Sequence, residues 1–163
     1  MPQVEFDKLP EDARVWIFTA ERLLSRREQA RLLKEVDCFI DKWRAHDAPL
    51  AAGCELRYDR FLFVAVDQRK LDPSGCSIDA LVRQMKVLEL EIGMELVNHA
   101  PVVFRQDDEI QRVPRDKFAE MAASGKVGLD TTVFNNTLTR LGDVRAGRWE
   151  TRVANSWHGR AFF

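Results

Sequence analysis

Ser74-Gly75-Cys76-Ser77-Ile78-Asp79 places a thiol where an apolar, strand-like segment gives way to an amphipathic helix. The start of a helix leaves backbone N–H groups unpaired and carries partial positive charge. A cysteine there has a reason to be a thiolate, and an anion has a reason to bind. Ser77 is expected to cap the helix. Asp79, in the first turn, favours the helix dipole but opposes a nearby thiolate. The bland alternative is a small buried residue before a cap, with Gly75 serving the turn. A nucleophilic role needs a base within hydrogen-bond reach, and His46 and His158 are the candidates.

Other residues with chemical potential are more scattered. Trp43 and His46 are expected at the end of the first helix, where a protonated imidazole gains from the dipole. Asn135-Asn136 follows a strand and reads as a turn. Trp157, within Ser156-Trp157-His158, either pins a polar tail to the core or lines a pocket. Gly125-Lys126 is the candidate phosphate loop, but the G-x-x-x-x-G-K-[ST] pattern would need Gly at 120 and Ser or Thr at 127. The chain has Glu120 and Val127, so the backbone cradle and the Mg²⁺-binding hydroxyl are both missing. His46, His99 and His158 with Cys38, Cys54 and Cys76 show no metal-ligand spacing. No cofactor and no metal are expected.

A formal charge of −1 gives no global reason to bind nucleic acid or an anionic membrane. The basic run of Arg140, Arg145, Arg148, Arg152 and Arg160 reads mainly as a solvated face, with a small anion site as the alternative. Three widely spaced cysteines argue against a disulfide framework and for a reducing compartment. Met1 to Pro10 is too acidic for a signal peptide. No apolar run approaches the roughly 20 residues that span a bilayer. A soluble, cytoplasmic protein is expected.

These residues must be positioned by regular elements. Residues 14–20 read as a buried strand. Ser25 and Glu28 form a capping box for a helix with Leu32, Val36, Phe39, Ile40 and Trp43 at helical spacing, ending by Pro49. Residues 54–66 read as a hairpin turning at Asp59-Arg60, or as one long bulged strand; Phe61–Val66 is the apolar central part. A second helix carries Leu81, Met85 and Leu88 and ends near Gly93. Pro101 to Arg105 makes a further strand. The order strand, helix, strand, strand, helix, strand is that of the split βαβ, ferredoxin-like sheet. A generic α+β sheet with helices on one face is the rival. Residues 1–106 are expected to form this α+β unit and residues 107–163 a small α+β appendage packed on it.

Within the appendage, Val113, Phe118, Ala122–Lys126, Asp130–Phe134 and Trp149 together resemble the small GYF-like modules of bacterial proteins. The resemblance implies a shape more than a ligand. Over nearly the whole length the chain also resembles a family of small bacterial proteins that often carry the label ABC transporter ATPase. The matching stretches are Val15–Phe18, Trp43 with His46, Tyr58 with Phe61, Gly75–Asp79, Val133–Asn136 and Ser156–His158. Asp47 stands where that family leads one to expect glycine. The label implies nucleotide hydrolysis, which the missing phosphate loop contradicts.

The expected function is a binding or scaffold protein. Its small-molecule, peptide or protein ligand would lie in a groove between the two units, near Trp43, Tyr58, Ser77, Asp79, Asn135, Asn136 and Trp157. The alternative is a small enzyme of acyl or thiol transfer using Cys76 with His46 or His158. Homodimerisation through an open sheet edge or the sheet's exposed face is a third expectation.

Overall fold

Phe61–Val66 is continuously apolar because both of its faces are covered. The computed structural model describes residues 3–69 and 71–163; Met1, Pro2 and Lys70 lie outside them, so the expectation for Met1 to Pro10 is addressed only from Gln3 onward. There Phe6–Lys8 forms a short 3-10 turn that buries Phe6.

The first sheet contains β1 (Arg14–Thr19), β4 (Ala52–Arg57) and β5 (Phe61–Val66), all antiparallel, in the order β1-β5-β4. Side chains alternate across a strand. Leu62, Val64 and Val66 therefore face α1 (Arg26–Lys42) and α2 (Gly75–Ile92), against Leu32, Val36, Leu81 and Met85. Phe61, Phe63 and Ala65 face the opposite way, toward a second sheet. The capping box at Ser25 is formed as expected. Gly93 ends α2 in the left-handed conformation, φ 82°, which glycine adopts without steric cost. A two-residue-strand hairpin, β2 (Arg44–Ala45) with β3 (Ala48–Pro49), follows α1.

The second sheet has β6 (Val102–Gln106), β7 (Glu109–Val113), β8 (Thr132–Phe134) and β9 (Glu150–Arg152) in the order β7-β6-β8-β9. Its outer face packs on α3 (Arg115–Ala123) and α5 (Trp157–Phe162) through Phe104, Phe118, Val133, Val153 and Phe162. A short helical turn, α4 (Leu141–Asp143), leads back toward β9. The layers run helices, sheet, sheet, helices. Between the sheets, the Trp149 ring centre lies 4.9 Å from that of Phe61 and 4.8 Å from that of Phe63. Burying each such ring contributes about 2–3 kcal/mol.

The α+β class is as expected, and the hairpin 52–66 is formed. The fourth strand is not where the split βαβ order places it. Residues 102–106 pair with β7 and β8, not with β1. The vacant side of β1 is taken by residues 139–141: Val15 N–H donates to the Thr139 carbonyl and Leu141 N–H to the Ala13 carbonyl, both at 2.9 Å. The expected boundary at 106/107 falls inside the β6–β7 hairpin. The turn before β5 comprises Tyr58, Asp59 and Arg60, and the first two have positive φ. Arg60 points inward and is 6% exposed. Its guanidinium donates to the carbonyls of Ala20 (3.0 Å), Ile110 (2.9 Å) and Glu21 (2.6 Å), fastening the end of β1 to β7. The tail after Trp157 is helical, where a polar tail was expected.

Candidate functional site

Helices α1 and α2 run antiparallel. Arg31 meets Glu91 at 2.9 Å at one end, and Trp43 meets Ser77 at the other. Trp43 ends α1 as its C-cap, 2% exposed, and its ring packs against those of Trp16 and Phe39. Its Nε1–H donates to the Ser77 carbonyl at 2.8 Å. This contact closes the floor of a cavity of about 720 Å³. Glu35, Cys38, Phe39 and Lys42 of α1 form one wall, at the i, i+3, i+4, i+7 spacing of one helix face. Cys76, Ser77, Ala80 and Gln84 of α2 form the other, and Arg44, His46 and Asp47 of the hairpin close the end.

Local chemistry explains each position. The N-cap of α2 is Ser74, not Ser77: Ser74 Oγ accepts from Ser77 N–H at 3.1 Å. Ser77 is the third helical residue, buried, and its Oγ donates to the Ser74 carbonyl at 2.7 Å. Helix formation from Gly75 leaves the Gly75 and Cys76 amides without hydrogen-bond partners among the described residues. Cys76 is exposed, contrary to the bland reading of a buried residue. His46 lies past the end of α1, at the tip of the β2–β3 hairpin. His46 and Asp47 have φ 53° and 63°, the paired left-handed geometry of a two-residue hairpin turn. This explains why a glycine would be expected at 47. Lys42, His46 and Arg44 stand near the α2 start; Glu35 and Gln84 lie farther along the two helices.

The expected site residues divide into three groups. Cys76, His46, Trp43 and Ser77 share the cavity; Asp79, one turn on, is exposed and does not line it. Asn135 and Trp157 line a different cavity of about 650 Å³, with Ser156 and Arg160. His158 is 1% exposed beside it, stacked on Trp157 with ring centres 3.9 Å apart. Ser156 Oγ lies 2.7 Å from His158 Nδ1. Burial, with help from the Arg115 charge, pushes the His158 imidazole down to about 4. Both sheets separate His158 from Cys76, so it cannot serve as that thiol's base.

Asn136 and Tyr58 hold the sheets together. Asn136 donates to Thr19 Oγ1 at 2.8 Å and accepts from Trp149 Nε1–H at 2.9 Å. Tyr58 donates to Glu150, stacks on Trp149 and lies under the Arg105 guanidinium. The hydrogen bond to Glu150 raises the Tyr58 phenol above its usual range. The 720 Å³ cavity lies within the first α+β layer pair, not in a groove between the two expected units.

Sequence reasoning missed Cys38, Phe39, Lys42 and Arg44 as wall residues, although their face of α1 is legible as a stripe beside the core stripe. Among the described residues no group of His, Cys, Asp and Glu is placed to hold a metal. Gly125 ends α3 with φ 78°, so Gly125-Lys126 follows a helix instead of opening one, the reverse of a phosphate loop. No described helix is long and apolar enough to cross a membrane. Comparison with protein-family models, curated proteins and solved structures gave no match to this chain.

Proposed function

We propose that this chain is a binding protein whose ligand is a small molecule held in the cavity between α1, the β2–β3 hairpin and the start of α2. The observation that carries the reading is convergence. One cavity of about 720 Å³ collects Cys76, Ser77, His46, Lys42 and Arg44 beside the aromatic Phe39 and Trp43. That volume suits a small-molecule site. The free Gly75 and Cys76 amides and the cationic side chains favour an anionic group at the α2 start. Glu35 and Gln84 would accept from donors at the other end, with an apolar body over Phe39. The test is a ¹H–¹⁵N titration of the full chain with inorganic phosphate and small aromatic carboxylates. Shifts centred on Gly75 and Cys76 that disappear in Lys42→Ala/Arg44→Ala support the reading. Silence at those amides contradicts it.

A second reading is favoured by Cys76 and His46 lining the same cavity. Cys76 would attack an acyl carbonyl while His46 takes its proton and passes it to the departing alcohol or amine, leaving the acyl group on Cys76 as a thioester that water then hydrolyses. Alkylation of Cys76 that is faster than that of the other exposed thiol, Cys38, and is slowed by His46→Ala supports it; a Cys76 rate indifferent to His46→Ala removes it.

For ancestry, we read β1, α1, β4, β5 and α2 as a ferredoxin-like half whose fourth strand is replaced, and residues 107–163 as the GYF-like part. The kinship with the bacterial family labelled ABC transporter ATPase belongs to the same proposal, without nucleotide hydrolysis. The reducing, cytoplasmic setting expected from the cysteines is part of it too.

A further inference from the structure

The outer edge of β1 is closed at its two ends and open in the middle. Val15 N–H donates to the Thr139 carbonyl, so it points away from β5. The period of two puts the Ile17 N–H and C=O on that same outer edge. Neither has a backbone partner there among the described residues. Among the described residues, the covering segment's other hydrogen bond to β1 is from Asn136, which donates to Thr19 Oγ1 at 2.8 Å. Between these two ties lies a cavity of about 310 Å³ whose lining includes Trp16, Phe18, Val82 and Leu138 together with Arg14 and His99.

A second, independent observation concerns Arg14. Its Nε is buried and makes no hydrogen bond among the described residues. Its guanidinium carbon sits 5.0 Å from the centre of the Trp16 ring. A buried donor on a cation, left unpaired, is costly unless something accepts from it. Backbone donor and acceptor, an unpaired cationic donor and an apolar lining therefore meet in one small space.

We propose that this slot binds an extended N-acyl amino-acid unit ending in a carboxylate, either free or as the C-terminal end of a peptide. The ligand's amide pairs with Ile17 as a short added strand. Its carboxylate accepts from the guanidinium of Arg14, a residue that lines the slot. Its apolar side chain fills the space between Trp16, Phe18 and Val82. The volume stands at the lower end of ligand pockets, about 300–1,000 Å³, which limits the unit to dipeptide size. The site is separate from the cavity at the α2 start, and neither stands or falls with the other.

The test is a ¹H–¹⁵N titration of the full chain with N-acetyl-leucine, N-acetyl-valyl-leucine and the corresponding C-terminal amides. The expected result is a dominant shift and slowed hydrogen exchange at the Ile17 amide. The acids should bind about tenfold more tightly than the amides. Arg14→Met should erase that difference, and Val82→Trp should block all four probes while far-UV circular dichroism stays native. A dipeptide acid that outbinds the single residue identifies a peptide end; equal binding identifies a free N-acyl amino acid. Equal affinity of acids and amides, or no response at Ile17 at millimolar probe, overturns the proposal. If Val82→Trp fails to fold, the acid-to-amide ratio in wild type and Arg14→Met still decides it.

Discussion

The Trp43 indole donates to the backbone carbonyl of Ser77 across 2.8 Å, joining the end of α1 to the first turn of α2. Neither partner is exposed, with Trp43 at 2% and Ser77 at 3%. The bond fixes the two helix ends at a set distance, and the cavity beside them inherits that distance. Trp43→Phe keeps most of the ring packing and removes the donor. It should cost about 1 kcal/mol through the lost hydrogen bond, because the Ser77 carbonyl keeps its helical bond within α2. Urea unfolding should show a lower midpoint with an unchanged slope.

Arg60 makes a prediction of larger size. It has no carboxylate among its hydrogen-bond partners; it serves three carbonyls, two just past the end of β1 and one in β7. Arg60→Met removes the charge and leaves those acceptors unpaired, at a cost of about 3 kcal/mol or more. Arg60→Lys should recover only part of this, since an ammonium lacks the planar fork that reaches three oxygens. Calorimetric unfolding of the two variants checks the order wild type, Lys, Met.

His158 should make stability depend on acid. Burial holds its folded pKa at about 4, below the ordinary 6.5. Above 6.5 the ring is neutral in both states and contributes no slope. As pH falls from 6.5 to 4 the unfolded chain takes up a proton that the folded chain refuses, so stability falls. The loss over that window is about 3 kcal/mol. His158→Phe should flatten the window, as measured by denaturant unfolding at several pH values.

The three thiols should react unequally. Cys38 and Cys76 are exposed, while Cys54 is half-buried. Burial, then the neighbouring Asp37 charge, pushes the Cys54 thiol up to about 12. Native protein at pH 8 should release colour from a chromogenic disulfide equivalent to two thiols, and a third should appear only on unfolding. Three rapid equivalents would contradict the placement of Cys54.

Local pattern made the elements legible. Ser25 with Glu28, the Leu32-Val36-Ile40 stripe and the two-sided apolar run of β5 specify their own conformations, and the structure contains them. Pairing is a different kind of information. Nothing in residues 102–106 says that their partners are β7 and β8, because the alternative edge of β1 was equally open until residues 139–141 covered it. Helix α5 has only six residues, too few to be stable from propensity alone. It is held by Phe162 against Phe118, with ring centres 5.0 Å apart. The site was half legible. Cys76 at a helix start follows from sequence, but its neighbour His46 is delivered by a hairpin on a different element. The capping serine was misplaced by three residues because Ser74 and Ser77 are both good caps, and the Ser74 hydroxyl reaches the Ser77 amide.

The central claim is that the cavity at the α2 start holds an anionic ligand against the Gly75 and Cys76 amides. The direct measurement is the rate of Cys76 alkylation by iodoacetamide, read by peptide mass spectrometry, with and without saturating inorganic phosphate at constant ionic strength. Slowing at Cys76 that is lost in Lys42→Ala/Arg44→Ala is the predicted result. A Cys76 rate indifferent to phosphate would contradict the account.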